Sequence, residues 1–320
     1  MDLSVDLAPG HPRGLRMRSP LVWASGTFGS DGYGAGLPST VRLHGLGAVV
    51  VKTTTLRPRG GNPTPRIVHG HGWMLNSIGL ENPGIDAVLE RYAPQWATWP
   101  IPVILSIAGE RAEEFALLAR RAEGVKGISA LELNLSCPNV EGGLAFAQSA
   151  EATALVTRLV KSATSLPVIV KLSPQVGDIV PIARSAQHAG ADALALTNTL
   201  VGLAIDLKAR RPFLGGGTGG VSGPALKPVA LAMVFQVYGA VDIPIIGIGG
   251  VASGEDALEY LMAGATAVGV ATSALVDPTA PQRILGELRR ALRRYRFPSA
   301  RDAVGTAHPR KRGTPAPPKP

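Results

Sequence analysis

Eight short apolar runs recur along the chain: PLVWAS (20–25), GAVVVK (47–52), PVILSI (102–107), ALELNL (130–135), PVIVKL (167–172), DALALT (192–197), IPIIGI (243–248) and TAVGVA (266–271). Runs this continuously apolar mark strands covered on both faces, which is the condition of a buried parallel sheet. Between them lie helix-period segments such as ERAEEFALLARRAEG (110–124), SAEATALVTRLVKSATS (149–165), IVPIARSAQHAG (179–190) and GEDALEYLMAGA (254–265). Several of these stop at a glycine, the residue that tolerates the left-handed turn ending a helix. Eight strands alternating with helices over about 250 residues predict an α/β fold, a single (β/α)8 barrel. A doubly wound open sheet fits less well, because the regular alternation leaves no second domain over. The reading divides the chain into a barrel, 1–297, and a Pro-rich basic tail, 298–320, expected to be disordered.

With 45% hydrophobic and 17% charged residues the chain can bury a sizeable core. Its one cysteine excludes an internal disulfide and any multi-cysteine metal or iron-sulfur site. The first twenty residues carry charges and prolines where a secretory signal needs an apolar stretch, and no run approaches the ~18 apolar residues of a membrane span. The expected location is cytoplasmic. A net charge of +9 resembles a nucleic-acid signal until it is located. From residue 283 onward there are eleven basic and two acidic residues, so 1–282 hold 21 of each and are neutral. The excess sits on the last helix and the tail HPRKRGTPAPPKP, which reads as solvated and extended.

In such barrels the active site is built at the C-terminal ends of the strands. Those positions here are Ser25, Lys52 with Thr53, Ser106, Asn134 with Cys137, Lys171, Asn198 with Thr199, Gly249 with Gly250, and Ala271 with Thr272. One strand-end lysine is ordinarily just reaching solvent. Two lysines, two asparagines and a thiol around one mouth point to chemistry. Two connections, 53–82 and 198–223, are too long for simple turns and are expected to be functional loops or a lid. After the seventh run, GIGGVASGED places glycines and a capping Ser253 at a helix start, a place suited to phosphate. A phosphate on one side and lysines on the other suit a flavin mononucleotide, with Lys171 beside the ring edge that gains negative charge on reduction. His69 and His71 have the spacing of a metal-dependent hydrolase, but His188 falls in a helix pattern and His308 in the tail, so a solvent-exposed pair is the better reading. Tyr92, Trp96 and Trp99 read as helix packing.

The segments NSIGLENPGID (76–86), LELNLSCPNVEGGLAF (131–146), VIVKLSP (168–174), LTNTLVGLAIDLKARRP (196–212), GGVSGPALKP (219–228) and IPIIGIGGV (243–251) resemble the dihydroorotate dehydrogenases, in order and over nearly all of 20–278. The cysteine and its context are most similar to the class 1B catalytic subunits. This resemblance implies oxidation of dihydroorotate to orotate in pyrimidine biosynthesis, with Cys137 taking a proton from C5 and hydride leaving C6 for FMN. It implies substrate contacts from Lys52, Asn76, Ser77, Ile78, Gly79, Leu80, Asn134, Asn198 and Thr199. It implies cofactor contacts from Ser25, Lys52, Thr53, Ser106, Asn134, Lys171, Thr197, Gly223, Gly249, Gly250, Ala271 and Thr272. Three positions depart from the family pattern: Ser106 replaces Asn, Thr197 replaces Ile and Ala271 replaces Gly. The loop 136–146 would close over the substrate with its base. The likeness also implies a homodimer joined by a subunit carrying FAD and an iron-sulfur cluster, which passes electrons to NAD+. A class 1A enzyme using fumarate is the alternative. An RNA uridine reductase would need a basic face and an extra domain, and an inactive flavin-binding scaffold would not need these site residues.

Overall fold

The computed structural model describes residues 1–135 and 145–309. All eight apolar runs form strands: β1 Leu21–Trp23, β2 Ala48–Thr54, β3 Val103–Ile107, β4 Ala130–Asn134, β5 Val168–Leu172, β6 Ala193–Leu196, β7 Ile245–Ile248 and β8 Ala267–Val270. They pair in parallel, each with its neighbours in sequence, and β8 closes on β1 to complete a barrel. Period-two alternation sorts their side chains. Val22, Val50, Ile104, Ala130, Ile169, Ala195 and Ile246 pack together in one buried cluster, while Leu21, Val49, Leu105, Leu131 and Val170 belong to the other, shared with the helices. Val5, Leu7, Leu15 and Met17, from and beside the hairpin of Val5–Asp6 and Arg16–Met17, join the first cluster and plug the barrel at the N-terminal ends of the strands. A ligand site is thereby left to the opposite mouth.

Seven helices of the described residues follow strands β2 to β8 in turn: α1 Ile85–Trp96, α2 Ala112–Ala122, α3 Ala150–Lys161, α4 Val180–His188, α5 Lys227–Tyr238, α6 Gly254–Met262 and α7 Ala280–Arg294. Local chemistry sets their ends. Ser149 accepts the Ala152 N–H at the start of α3, and Ser253 with Asp256 forms a reciprocal capping box on α6. Ile284, Leu288 and Ala291, a helical turn or so apart, turn one face of α7 to the barrel. The β1–β2 connection carries no helix. Its glycines 26, 29, 32, 34 and 36 all adopt positive φ, and they wrap the chain around the Trp23–Phe28–Trp99 edge contacts instead. Trp96 is buried and stacks on Tyr92, as its helical spacing suggests.

The two long connections are not lids of irregular loop. Ile67–Gly70, Trp73–Asn76, Leu200–Gly202 and Gly219–Ser222 pair antiparallel into one small sheet, joined across the barrel mouth by the register of Asn76 with Gly220. His69 lies exposed on the first of these strands and His71 in the turn after it, and the described residues hold no cluster able to bind a metal. Past Phe297 the chain still packs on the barrel. A short helix, Ala300–Ala303, buries both of its alanines, the Gly305 and Ala307 N–H groups donate to Leu261 and Met262, and the His308 ring stacks 3.9 Å from Phe235. The rest of the expected tail, 310–320, lies outside the described residues. No helix among the described residues is long and apolar enough to cross a membrane.

Candidate active site

Alternation along the strands continues past the apolar layers, so the inward positions at the C-terminal ends become polar. Lys52 follows Val50, Asn134 follows Ala130 and Glu132, and Lys171 follows Ile169. They open into a cavity of about 380 Å³ roofed by the small sheet. Of the sequence-predicted residues, Ser25, Lys52, Thr53, Asn76, Ile78, Gly79, Leu80, Asn134, Lys171, Thr197, Asn198, Thr199, Gly223, Gly249, Gly250, Ala271 and Thr272 all line it. This volume lies in the range of cofactor pockets, roughly 300–1,000 Å³.

A hydrogen-bonded row crosses the floor. Asn198 donates through Nδ2 to Asn134 Oδ1 at 3.0 Å, Asn134 Nδ2 donates to Thr53 Oγ1 at 3.0 Å, and Thr53 Oγ1 and Ser106 Oγ lie 2.9 Å apart. Asn198 Oδ1 also accepts the Thr199 N–H at 2.9 Å. Both asparagine amides are thus oriented by the fold before any ligand arrives, which is how a site avoids reorganising at the moment of binding. Ser106 does not reach the cavity. It is fully buried behind Thr53, so its hydroxyl meets that side chain and not the cavity. Ser77 is likewise buried and accepts Asn62 Nδ2 at 2.9 Å; it supports the loop carrying Ile78 to Leu80 rather than facing the cavity.

The electrostatics are cationic at two points. Burial holds the Lys52 ammonium below the ordinary lysine range, with Glu81 and Asp31 pulling partly the other way. Lys171 is buried, and its one ion-pair partner among the described residues is Glu132, with Nζ 3.6 Å from Oε1. Thr197 Oγ1 is buried in the cavity wall with no hydrogen-bond partner among the described residues.

On the opposite side, the glycine turn after β7 presents bare backbone. Gly249 and Gly250 have φ of 144° and 66°, and a side chain on Gly250 would meet Lys227 Cβ at 2.7 Å. Tyr260 supports this turn by donating to the Gly249 carbonyl at 2.7 Å. The start of α6 differs from the sequence expectation. Ser253 does cap the helix, but Asp256 accepts the N–H groups of Ala252 and Ser253, both at 2.9 Å, and Glu287 takes that of Gly254 at 2.9 Å. Carboxylates of the chain itself thus take these helix-start N–H groups, while the glycine turn just before them stays open to the cavity. The bare backbone lining the cavity on this side is therefore that of the 249–250 turn and Gly223, beside Thr272, whose Oγ1 donates to Ser222 Oγ at 2.9 Å.

Sequence reasoning missed Glu132, hidden in an apolar run, and cavity-lining Met74, Ser222 and Leu275. Period-two spacing from Asn134 was the available signal for Glu132. The proposed base, Cys137, and the loop 136–144 lie outside the described residues.

Comparison with known proteins covers nearly the whole chain. The dihydroorotate dehydrogenase family profile matches residues 11–292. The chain is 51% identical over 295 residues to "dihydroorotate dehydrogenase B (NAD(+)), catalytic subunit" of Desulforamulus reducens, covering 92% of this chain and 96% of that one. It is 49% identical over 305 residues to the protein of that name from Geobacter sp. strain M21, covering 95% and 97%. The protein of that name from Bacillus pumilus is 46% identical over 293 residues, covering 91% and 94%. With the family profile spanning residues 11–292 and these relatives matched over more than nine-tenths of the chain, this barrel belongs to the dihydroorotate dehydrogenase family.

Proposed function

We propose that this chain oxidises dihydroorotate to orotate in pyrimidine biosynthesis, as the catalytic subunit of an NAD+-linked enzyme with FMN in the barrel mouth. The observation that carries the reading is the convergence of Lys52, Asn134 and Lys171, from three separate strands, and Asn198, just past a fourth, on one cavity faced by a glycine turn. The cavity suits a flavin mononucleotide. It offers a buried hydroxyl at Thr197 with no partner among the described residues and a buried ammonium at Lys171 for the ring, and bare backbone at Gly249 and Gly250 for the phosphate. Ser25, Thr53, Gly223, Ala271 and Thr272 would complete the holding set, with Ser106 acting through Thr53.

When bound, the flavin supplies the two-electron acceptor for the hydride that leaves substrate C6. The protein's part is binding, orientation and proton transfer. Lys52, with Asn76 and the 78–80 turn, would hold the carboxylate, and Asn134, Asn198 and Thr199 would fix the ring amides. Cys137 would take the C5 proton. A thiol ordinarily ionises near pH 8.5, and cationic neighbours favour the thiolate, so a site with two lysines suits it.

The lowered pKa of Lys52 gives this reading a pH signature. Its ammonium is present below that pKa and lost as pH rises through it, earlier than for an ordinary lysine. Orotate affinity should therefore weaken on the alkaline side by about tenfold or more, from the ~1.5–3 kcal/mol of a charge-assisted hydrogen bond. Fluorescence titration of orotate across pH should show this limb in the wild type. Lys52→Met should bind weakly throughout without it, and an alkaline limb retained in that variant would remove Lys52 from the carboxylate site.

The word "subunit" in the relatives' names supports a partner. This chain has one cysteine, so a four-cysteine iron-sulfur cluster must reside elsewhere. The proposed partner carries FAD and that cluster, on a homodimer of barrels. Assaying the purified chain with dihydroorotate, first alone and then with the partner, separates the acceptors. NAD+ reduction only with the partner is expected, and fumarate reduction by the chain alone would place it in class 1A.

A further inference from the structure

Glu132 has no role in the reaction described above, yet its position is costly. It points into the barrel from the middle of β4, where the neighbouring layers are Ala, Val and Ile, and it is 1% exposed. Neither carboxylate oxygen has a hydrogen-bond partner among the described residues. Burying an ion without partners is unfavourable by several kcal/mol, and a hydrophobic residue of similar volume would serve a barrel core as well or better. Among the described residues the one cation in reach is Lys171 Nζ, 3.6 Å away, beyond hydrogen-bond distance but close enough for a strong Coulomb interaction in a dry interior. Asn134 and Lys171 are register partners on β4 and β5, and both line the cavity. Glu132 lies one pleat below them, so its carboxylate approaches Lys171 from beneath, on the side away from the ligand.

We propose that Glu132 is a positioning residue that sets the charge Lys171 presents to the cofactor. It tethers the ammonium at the cavity floor and offsets part of its charge, so the mouth does not carry a bare buried cation. This rests on the proposed flavin site. A bare ammonium at the ring edge would stabilise the reduced, more negative cofactor and raise its reduction potential, which hinders passing electrons onward. Partial neutralisation keeps the potential low enough for onward transfer while the lysine remains to orient the ring. No bond is made or broken by Glu132. Its effect passes through Lys171.

The test is the flavin midpoint potential of the loaded protein, measured by dye-coupled anaerobic reduction. Glu132→Gln preserves shape and removes the charge. It is expected to favour reduced over oxidised flavin at least tenfold, an upward shift of about 30 mV for a two-electron couple. Lys171→Met should move the potential down. A Glu132→Gln potential equal to wild type, in folded and flavin-loaded protein, overturns the proposal, because a purely structural carboxylate would alter melting temperature but not potential. Should Glu132→Gln fail to hold flavin, Glu132→Asp decides. Retracting the carboxylate by one methylene should shift the preference upward about threefold by the distance dependence of the interaction, and no shift overturns the idea. Wild-type protein that takes up no flavin would count against the flavin site itself, a result distinct from either.

Discussion

Replacing Cys137 by alanine is expected to slow flavin reduction by dihydroorotate about 10²–10⁴-fold, the usual contribution of a positioned general base. Flavin content should stay at wild-type level, because no proposed cofactor contact comes from the 136–144 loop. Serine should rescue little, since its hydroxyl ionises far above the range in which a thiol can share a proton near neutrality. The informative measurement is rapid anaerobic mixing, which isolates this half-reaction from reoxidation. Full-speed reduction in Cys137→Ala would remove the thiol from the chemistry and leave proton transfer to another group.

The second large effect is expected at Lys171. Lys171→Ala should slow flavin reduction about 10²–10³-fold, as when a preorganised charge is removed from the site where negative charge develops. It should also destabilise the fold. Glu132 would be left as an unpaired carboxylate in the barrel, and breaking a buried pair costs about 3–5 kcal/mol. The two consequences separate in a double variant. Adding Glu132→Leu should restore much of the lost stability while leaving flavin reduction slow. Thermal melts and stopped-flow traces on the same samples would show this. A Lys171→Ala protein as stable as wild type would mean that the Glu132–Lys171 contact carries little energy.

Much of the barrel was legible because a strand buried on both faces is one of the few structures that needs an unbroken apolar run. Each run, from 20–25 to 266–271, became a strand at its expected place. The residues at the strand ends were legible for the same reason: polar side chains such as Lys52, Asn134 and Lys171 stand out where apolar layers stop. The small sheet over the mouth was not. Asn76 and Gly220 are register partners 144 residues apart in sequence, and segments such as LVG and GGVS carry no periodicity of their own. Ser106 and Ser77 show the limit of counting positions. Ser77 stands between two cavity residues in sequence and Ser106 near a strand end, but loop path and pleat turn their hydroxyls toward Asn62 and Thr53 instead. At α6 the serine cap was foreseen, while the competing carboxylate of Asp256 was visible only once its hydrogen bonds were seen. Glu132 was passed over because a single acid in ALELNL looks like noise until its alternation with Asn134 is noticed.

The central claim is that this barrel mouth binds a flavin and lets dihydroorotate reduce it. It is tested most directly by titrating purified, FMN-loaded protein with dihydroorotate under argon while following the visible flavin absorbance. Stoichiometric bleaching with release of orotate is expected. Protein that remains colourless after incubation with FMN, or a flavin band that dihydroorotate leaves unchanged, would contradict it.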